Sequence, residues 1–195
     1  MDLGAPGLRN AIVQLLPLTE QHREPLHACG AEEAMWASMP AIERGAGFDA
    51  YFDHVLKAAK AGTLVPFAVM DAQTERFIGV CSFFAANRFH RRIEIGYVWI
   101  EPDMRGRGCF GAIHHLLIKR ALDWGARRMG WQIESHNERA NQAIRHLGAS
   151  YEGTLRSYAR YADGTWVDLA IFSLLREEAK GLVKALEERL QRSLT

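Results

Sequence analysis

The chain has 195 residues, of which 48% are hydrophobic, 24% charged and 10% aromatic, and its formal net charge is +1. This composition can supply one sizeable core, and it excludes a disordered, fibrous or strongly basic nucleic-acid-coating chain. The first thirty residues lack the basic and apolar regions of a secretory signal, and the longest uncharged stretch, residues 77–87, is too short to span a bilayer. We therefore expect one cytoplasmic domain over residues 1–195, with no membrane and no direct nucleic-acid partner.

The three cysteines are far apart in the sequence, at Cys29, Cys81 and Cys109. An odd number at such spacing predicts neither a disulfide framework nor a zinc site. Adjacent His114 and His115 cannot share one helix face, so we expect no bound metal there and interpret both as surface or packing residues.

The first third of the chain predicts a strand followed by two helices. Residues 1–10 contain two glycines and a proline without periodicity, which is typical of a flexible lead-in. A short apolar run predicts a strand over 11–18, and Thr19 then caps a helix that ends at Gly30. An apolar loop over 31–47 leads to a helical pattern over 48–62.

The middle of the chain predicts an antiparallel sheet. Three strand-like runs, 63–71, 76–85 and 92–101, are separated by short polar segments suited to hairpins. After a glycine-rich segment, apolar residues at helical spacing predict an amphipathic helix that ends at Gly125.

The last third alternates again between strand and helix patterns. A short strand over 130–135 precedes a helix that Asn137 starts and Gly148 ends. Residues 154–161 and 165–175 predict a hairpin around a turn at 162–164, and a charged amphipathic helix over 176–192 follows.

The segment EPDMRGRGCFGAIHHLL, residues 101–117, contains the spacing G-x-G-x-x-G. A dinucleotide fingerprint needs a strand that runs directly into its first glycine within a βαβ unit. Here four residues, 102–105, separate the predicted strand from Gly106, and the preceding strands are joined by hairpins. Glu134 lies near the distance required of the later acidic residue, but the other requirements of the fingerprint are not met. A nicotinamide site therefore fits less well than a site for another phosphate ligand.

The same segment has the chemistry of a phosphate site. Small residues let the backbone approach a ligand closely, and N–H groups at the start of a helix point at an anion. Arg105 and Arg107 add positive charge at this place. A solvated strand-to-helix turn is the alternative, although turn chemistry alone does not require two arginines.

Three segments together carry a family resemblance: RIEIGYVWIEP, DMRGRGCFGAIHHLL and IESHNERANQAIRHLGA. They resemble the acetyl-CoA-binding core of GNAT superfamily N-acetyltransferases, whose signature is R/Q-x-x-G-x-G/A. The ending, residues 147–180, is similar to the Rim-type branch, which includes acetyltransferases of ribosomal-protein N-termini. The resemblance implies a mixed α/β (α+β) fold, with a mostly antiparallel sheet of about seven strands flanked by helices, and acetyl-CoA as cosubstrate.

The resemblance also implies roles for individual residues. The loop around the coenzyme A pyrophosphate corresponds to Arg105, Gly106, Arg107, Gly108, Cys109 and Phe110. Trp99 and Ile100 would supply strand amides to the pantetheine arm, in the manner of an added strand. Asn137 matches an asparagine that contacts this arm, while its N-cap role is equally good. Trp36, in the apolar loop, would border the acceptor pocket.

Amide formation at neutral pH requires a base that takes a proton from the acceptor ammonium. Glu94 matches the position where several family members carry this base, and burial in a partly apolar cleft would raise its pKa. An equally good interpretation is a surface carboxylate paired with Arg91 or Arg92. A strand amide near Trp99 would stabilise the oxyanion.

Three positions depart from the family pattern. The sixth signature position is Phe110, a tyrosine that protonates the thiolate in many members is replaced by Ile144, and a serine common in the Rim branch by Ala140. A thiol pKa near 8.5 lets the leaving sulfur depart without an acid, so no general acid is assigned. The expected function is acetyl transfer to a primary amine, on a protein N-terminus or a small molecule. A non-catalytic acyl-CoA-binding or sensing module is the alternative, and Rim-like relatives include homodimers.

Overall fold

The computed structural model describes residues 4–29, 47–161 and 163–192. In these residues eight strands and five α-helices alternate along the chain. The strands are β1 (Leu8–Arg9), β2 (Val13–Pro17), β3 (Leu64–Asp71), β4 (Phe77–Asn87), β5 (Arg92–Ile100), β6 (Arg128–Glu134), β7 (Ser150–Arg160) and β8 (Trp166–Leu175). The helices are α1 (Arg23–Cys29), α2 (Phe48–Lys60), α3 (Cys109–Asp123), α4 (Glu138–Leu147) and α5 (Arg176–Arg192).

All eight strands form one sheet in the order β1-β2-β3-β4-β5-β6-β8-β7. Each neighbouring pair is antiparallel except β5 with β6, which are parallel. The predicted mixed and mostly antiparallel fold is therefore confirmed. The helix α3 connects the two parallel strands, as a parallel pair requires a crossover rather than a hairpin.

The strand β1, one more than the seven expected, lies in the segment predicted to be a flexible lead-in. Leu8 pairs with Leu15 and Arg9 with Gln14, and the Arg9 guanidinium donates to the carbonyl oxygen of Ala72 at 2.5 Å. Residues 8 and 9 are therefore held at the edge of the sheet. A strand of two residues is too short to produce an alternating pattern, so the sequence did not predict it.

Apolar side chains form one layer on each face of the sheet. The larger layer packs α3, α4 and α5 against residues such as Phe83, Ile93 and Ile95. The smaller layer packs α1 and α2 against the other face, around Phe52 and Trp99. Alternate residues of the central strands enter opposite layers, as expected for a sheet buried on both faces.

The predicted ends of α3 and α4 agree with the structure. In the first predicted helix, Thr19 precedes a 3-10 turn over Glu20–His22, α1 begins only at Arg23, and the predicted end at Gly30 lies outside the described residues. Gly108 precedes α3 with φ of 80°, and the Asn137 side chain caps α4 by accepting from the Ala140 N–H at 3.1 Å. Gly148 ends α4 with φ of 99°, in the left-handed region that favours glycine. The predicted loop over 31–47 lies outside the described residues, apart from Gly47. No described helix has the length and apolar character needed to cross a membrane.

Candidate active site

The strands β5 and β6 pair over a short distance and then separate. They are in register at three positions only: Arg92 with Arg128, Ile93 with Met129 and Glu94 with Gly130. Beyond these pairs, β5 continues to Ile100 and β6 to Glu134. We call the opening between the separated parts the cleft, and the position of Glu94 and Gly130 its apex. Strand edges without a partner leave N–H and C=O groups free to bind a ligand.

A β-bulge interrupts β5 along the cleft. Tyr97 and Val98 both lie opposite one residue of β4, Cys81. Tyr97 has φ of 53°, a left-handed conformation that costs on the order of 1 kcal/mol or more for a residue other than glycine. Bulges of this kind re-aim side chains and backbone groups near functional sites.

The bulge corrects the predicted alternation along this strand. The sequence places Val98 and Ile100 on the same face as Glu94, by period-two counting. In the structure both residues pack with the α3 layer instead, whereas Tyr97 and Trp99 pack with the α1 and α2 layer. The extra residue shifts the alternation by one, so Tyr97 and Trp99 share the face of Glu94.

The backbone of Ile100 faces the cleft. Glu101 donates its N–H to the carbonyl of Ile78 in β4 at 2.9 Å, and alternate residues of a strand direct their peptide groups to opposite sides. Ile100 therefore points away from β4, and its carbonyl accepts from Arg105 Nε at 2.9 Å. Trp99 directs its carbonyl toward β4, close to Gly79. Of the two predicted amide donors, Ile100 has the orientation for a ligand in the cleft.

The loop that follows β5 offers a set of unpaired backbone donors. Gly106 and Gly108 have φ of 77° and 80°, so the chain turns through left-handed conformations before α3 begins. In the described chain, the first amide after Arg105 with a backbone acceptor is that of Ala112, which donates to Gly108. The intervening N–H groups lie at the positive end of the α3 dipole, an arrangement of donors that favours an anion.

Positive side chains gather beside these amides. Arg105 and Arg107 are exposed, and Arg139, in the first turn of α4, lies close enough to Arg105 to affect its titration. The pKa of Arg105 is lowered, first by partial burial and then by the positive charge of Arg139. Two like charges held together without a carboxylate partner favour a bound anion between them. The sequence analysis did not identify Arg139.

Cys109 and Phe110 contribute backbone rather than side chains to this loop. The Cys109 thiol is buried, and burial raises its pKa. The Phe110 ring lies against His114, with ring centroids 4.1 Å apart, and packs on the α3 layer. The bulk at the sixth signature position is thus directed into the domain. His114 and His115 are both buried, so they are packing residues and not surface residues.

Asn137 lies on the β6 side, at the start of α4. Its Oδ1 is used as the N-cap, and its backbone N–H donates to the Glu134 carbonyl at 2.9 Å. The Nδ2 group has no partner among the described residues, so the cap leaves this donor free for a ligand. The capping role is therefore compatible with the predicted contact.

Glu94 is a half-buried carboxylate at the apex of the cleft. It makes no hydrogen bond or ion pair with a described residue, which argues against the pairing with Arg91 or Arg92. Burial raises the pKa of Glu94, while the positive charges of Arg128 and Arg92 lower it and Glu152 raises it further. A carboxylate in this setting can act as a general base.

Two further predicted positions, Ile144 and Trp36, add no functional group to the described site. Ile144 is buried in the α3 layer, so no titratable group occupies the position of the family tyrosine. Trp36, predicted to border the acceptor pocket, lies outside the described residues.

The chain is similar to known proteins over most of its length. Residues 13–150 match the family model described as an acetyltransferase (GNAT) domain. The uncharacterized N-acetyltransferase YoaA of Bacillus subtilis is 27% identical over 176 residues, which cover 88% of this chain and 97% of YoaA.

Two solved structures are similar over nearly the whole chain. A GCN5-related N-acetyltransferase from Brucella melitensis superposes with a TM-score of 0.84 at 25% identity, covering 96% of this chain and 86% of its own. Mycobacterium smegmatis RimJ, solved with CoA-disulfide, has a TM-score of 0.75 at 18% identity and 93% coverage of both chains, a likeness of fold alone. The family match covers well over half of the sequence, and the chain therefore belongs to the GNAT acetyltransferase family of transferase enzymes.

Proposed function

We propose that the protein transfers an acetyl group from acetyl-CoA to a primary amine, by direct attack of the amine on the thioester. One observation carries this proposal. An unpaired, half-buried carboxylate, Glu94, lies at one end of the cleft, and an arginine-flanked set of free amides lies at the other. The first is suited to accept a proton and the second to bind a polyanion.

The residues around the loop fit coenzyme A. The free N–H groups that follow Arg105, with the guanidinium groups of Arg105 and Arg107, would bind its diphosphate. The backbone of Ile100 and the free Nδ2 of Asn137 would bind the pantetheine arm from the two sides of the cleft. Bound acetyl-CoA supplies the acetyl group as an activated thioester. Arg139, close to Arg105, would add a third guanidinium group beside the diphosphate.

Glu94 would accept a proton from the acceptor ammonium, directly or through a water molecule. Burial raises the pKa of this carboxylate, which makes it a stronger base. Backbone N–H groups of β5 at the bulge and at Ile100 would donate to the negative charge that develops on the carbonyl oxygen. A thiolate leaves readily at neutral pH, so the absence of an acid at Ile144 does not prevent turnover.

The acceptor is a primary amine of one of two kinds. The ending that resembles the Rim-type branch, together with the RimJ-like fold, favours a protein N-terminus, and a small-molecule amine is the alternative. We further propose that the protein acts in the cytoplasm, since its three cysteines are free and this suits a reducing compartment.

We propose one domain over residues 1–195, since β7, β8 and α5 complete the same sheet and core. The proposal also includes a homodimer.

A thiol-release assay tests the function. The purified protein is mixed with acetyl-CoA and either spermidine or hexapeptides that begin with Ser or Ala, and free CoA is measured with the acetylated product. We expect acceptor-dependent CoA release that falls strongly in Glu94→Gln. Tight binding of acetyl-CoA without release for any acceptor would support the sensing module instead. Calorimetry that detects NADH but not acetyl-CoA would contradict the proposed site itself.

A further inference from the structure

The Glu94 carboxylate rests on the backbone of Gly130. The two residues are partners in the parallel register, and a Cβ atom built at Gly130 would overlap both carboxylate oxygens of Glu94. Gly130 does not have a positive φ, so its backbone conformation is open to any residue. The need for glycine at this position therefore comes from the carboxylate and not from the chain.

Arg128, the cation with the largest effect on the pKa of this carboxylate, already has a partner. Arg128, two residues before Gly130 on β6, donates to both oxygens of Glu152 at 2.6 Å. Ser173 of β8, the register partner of Gly130, donates its Oγ to Glu152 Oε1 at 2.7 Å. A bidentate pair with a third hydrogen bond fixes the guanidinium in the plane of its partner.

The charged groups that face Glu94 come from three strands. Arg92 lies on its own strand, Arg128 on β6 and Glu152 on β7, and the first two lower the pKa of Glu94 while Glu152 raises it. Phe84 of β4 is the antiparallel partner of Glu94 and carries no charge. Removal of the negative charge at Glu152 would leave Arg128 without this partner, and its positive charge would act more strongly on Glu94.

We propose that Gly130 and Glu152 are positioning residues for Glu94: Gly130 provides the space in which the carboxylate is held at the cleft apex, and Glu152 holds Arg128 away from it. The inference deepens the proposed function, since it rests on Glu94 as the base. A carboxylate in an ion pair with arginine is a weaker base, and one displaced into solvent is no longer aimed at the cleft.

Carbon NMR of labelled glutamate carboxyl groups tests this directly, because it measures the titration of Glu94 without any acceptor. The Glu94 signal is assigned by its loss in Glu94→Gln. In Glu152→Gln we expect the pKa of Glu94 to fall by roughly half a unit or more, the size of a partly exposed charge interaction. Gly130→Ala should also lower it, since the displaced carboxylate regains solvent. Glu152→Asp, which keeps the charge, should shift it less than Glu152→Gln.

A matched control is Glu177→Gln, which removes an exposed carboxylate paired with Lys180 at 2.9 Å. It should leave the titration of Glu94 unchanged. An unchanged pKa of Glu94 in both Gly130→Ala and Glu152→Gln, or an equal shift in the control, would overturn the inference. If Gly130→Ala unfolds, Glu152→Gln alone decides the result.

Kinetics then separate this inference from the proposed function. Both positioning variants should lower kcat at neutral pH with unchanged affinity for acetyl-CoA, and Glu152→Gln should move the acid limb of the pH profile to lower pH. The ionisation of the acceptor is common to all variants and cancels in the comparison. If Glu94→Gln is fully active, the proposed base is wrong, whatever the NMR result. If Glu94→Gln is inactive and the positioning variants titrate and react as the wild type does, only this inference fails.

Discussion

The loop after β5 and the apex of the cleft are built for opposite tasks. The loop is exposed, has two glycines with positive φ, and offers backbone donors beside arginines. The apex is half-buried and contains a single carboxylate, and Arg128, the cation with the largest effect on the pKa of this carboxylate, is paired with Glu152. The first region concentrates positive potential for an anion, and the second holds a negative charge that forms no ion pair with a described residue.

The loop and the apex are far enough apart to be changed independently by mutation. Glu94 and Ile100 lie opposite Phe84 and Gly79 of β4, which are five residues apart, and this corresponds to roughly 17 Å at 3.3 Å per residue. Changes at one end should therefore act on binding of acetyl-CoA, and changes at the other on the rate of transfer. Effects at sites this far apart are expected to be nearly additive.

The largest expected effect is at the apex. Glu94→Gln should lower kcat at pH 7 by roughly 100-fold or more, because it removes the base without changing the size of the side chain. The affinity for acetyl-CoA, measured by calorimetry, should stay within about twofold of the wild type. A weaker affinity for acetyl-CoA with an unchanged kcat in Glu94→Gln would show that the apex binds the cofactor and does not supply the base.

The next effect is at the arginines of the loop. Arg105→Ala and Arg139→Ala should each weaken acetyl-CoA binding by about tenfold, the worth of one charge-assisted hydrogen bond, and reduce the dependence of affinity on salt. The rate at saturating acetyl-CoA should change little. Arg88→Ala, at the exposed turn between β4 and β5, is the control and should alter neither quantity.

A smaller effect tests the glycine of the loop. Valine at Gly108, where φ is 80°, should destabilise the fold by about 1–2 kcal/mol and weaken acetyl-CoA binding several-fold, because it crowds the approach to the amides. Gly62, which follows α2 with φ of 72° and where an added Cβ atom would meet nothing within 4 Å, is a matched control. Valine there should lower the melting temperature without changing affinity. Equal affinities for acetyl-CoA in the two variants would show that the loop backbone at Gly108 does not contribute to binding.

Local patterns predicted most of the fold and the loop. The glycines and the two arginines of the loop lie within four consecutive residues, 105–108, and the cap at Asn137 accepts from an amide only three residues away. Neither feature depends on distant segments. The helices α3 and α4 follow from apolar spacing and end at glycines, where the sequence placed them.

The apex depends on contacts that a linear pattern does not contain. The bulge at Tyr97 became visible only from the pairing of β5 with β4, and it changed which residues share a face with Glu94. Gly130 and Glu152 are 36 and 58 residues beyond Glu94 in the sequence, and strand register brings them together. Arg139 was missed for the same reason, as its proximity to Arg105 requires the arrangement of α4 beside the loop.

The smallest effect expected at neutral pH concerns His114, which packs against Phe110 beneath the loop that follows β5. His114 is fully buried against Phe110, Nδ1 donates to the Phe110 carbonyl at 2.8 Å, and Nε2 has no partner among the described residues. Burial lowers its pKa from 6.5 to about 4. The folded state therefore resists a proton that the unfolded chain accepts, so stability is complete above pH 6.5 and is lost as the pH falls toward 4.

Urea unfolding at pH 7 and pH 5 measures this loss. Between these values His114 should cost the wild type about 2 kcal/mol, since each pH unit below 6.5 is worth about 1.4 kcal/mol. His114→Gln cannot take up this proton, so its unfolding free energy should fall by that much less over the same interval. His90→Gln, at an exposed histidine, should behave as the wild type does. Because the ring supports Phe110, acid should also weaken acetyl-CoA binding in the wild type more than in His114→Gln, whereas equal pH dependence in the two proteins would separate the histidine from the loop.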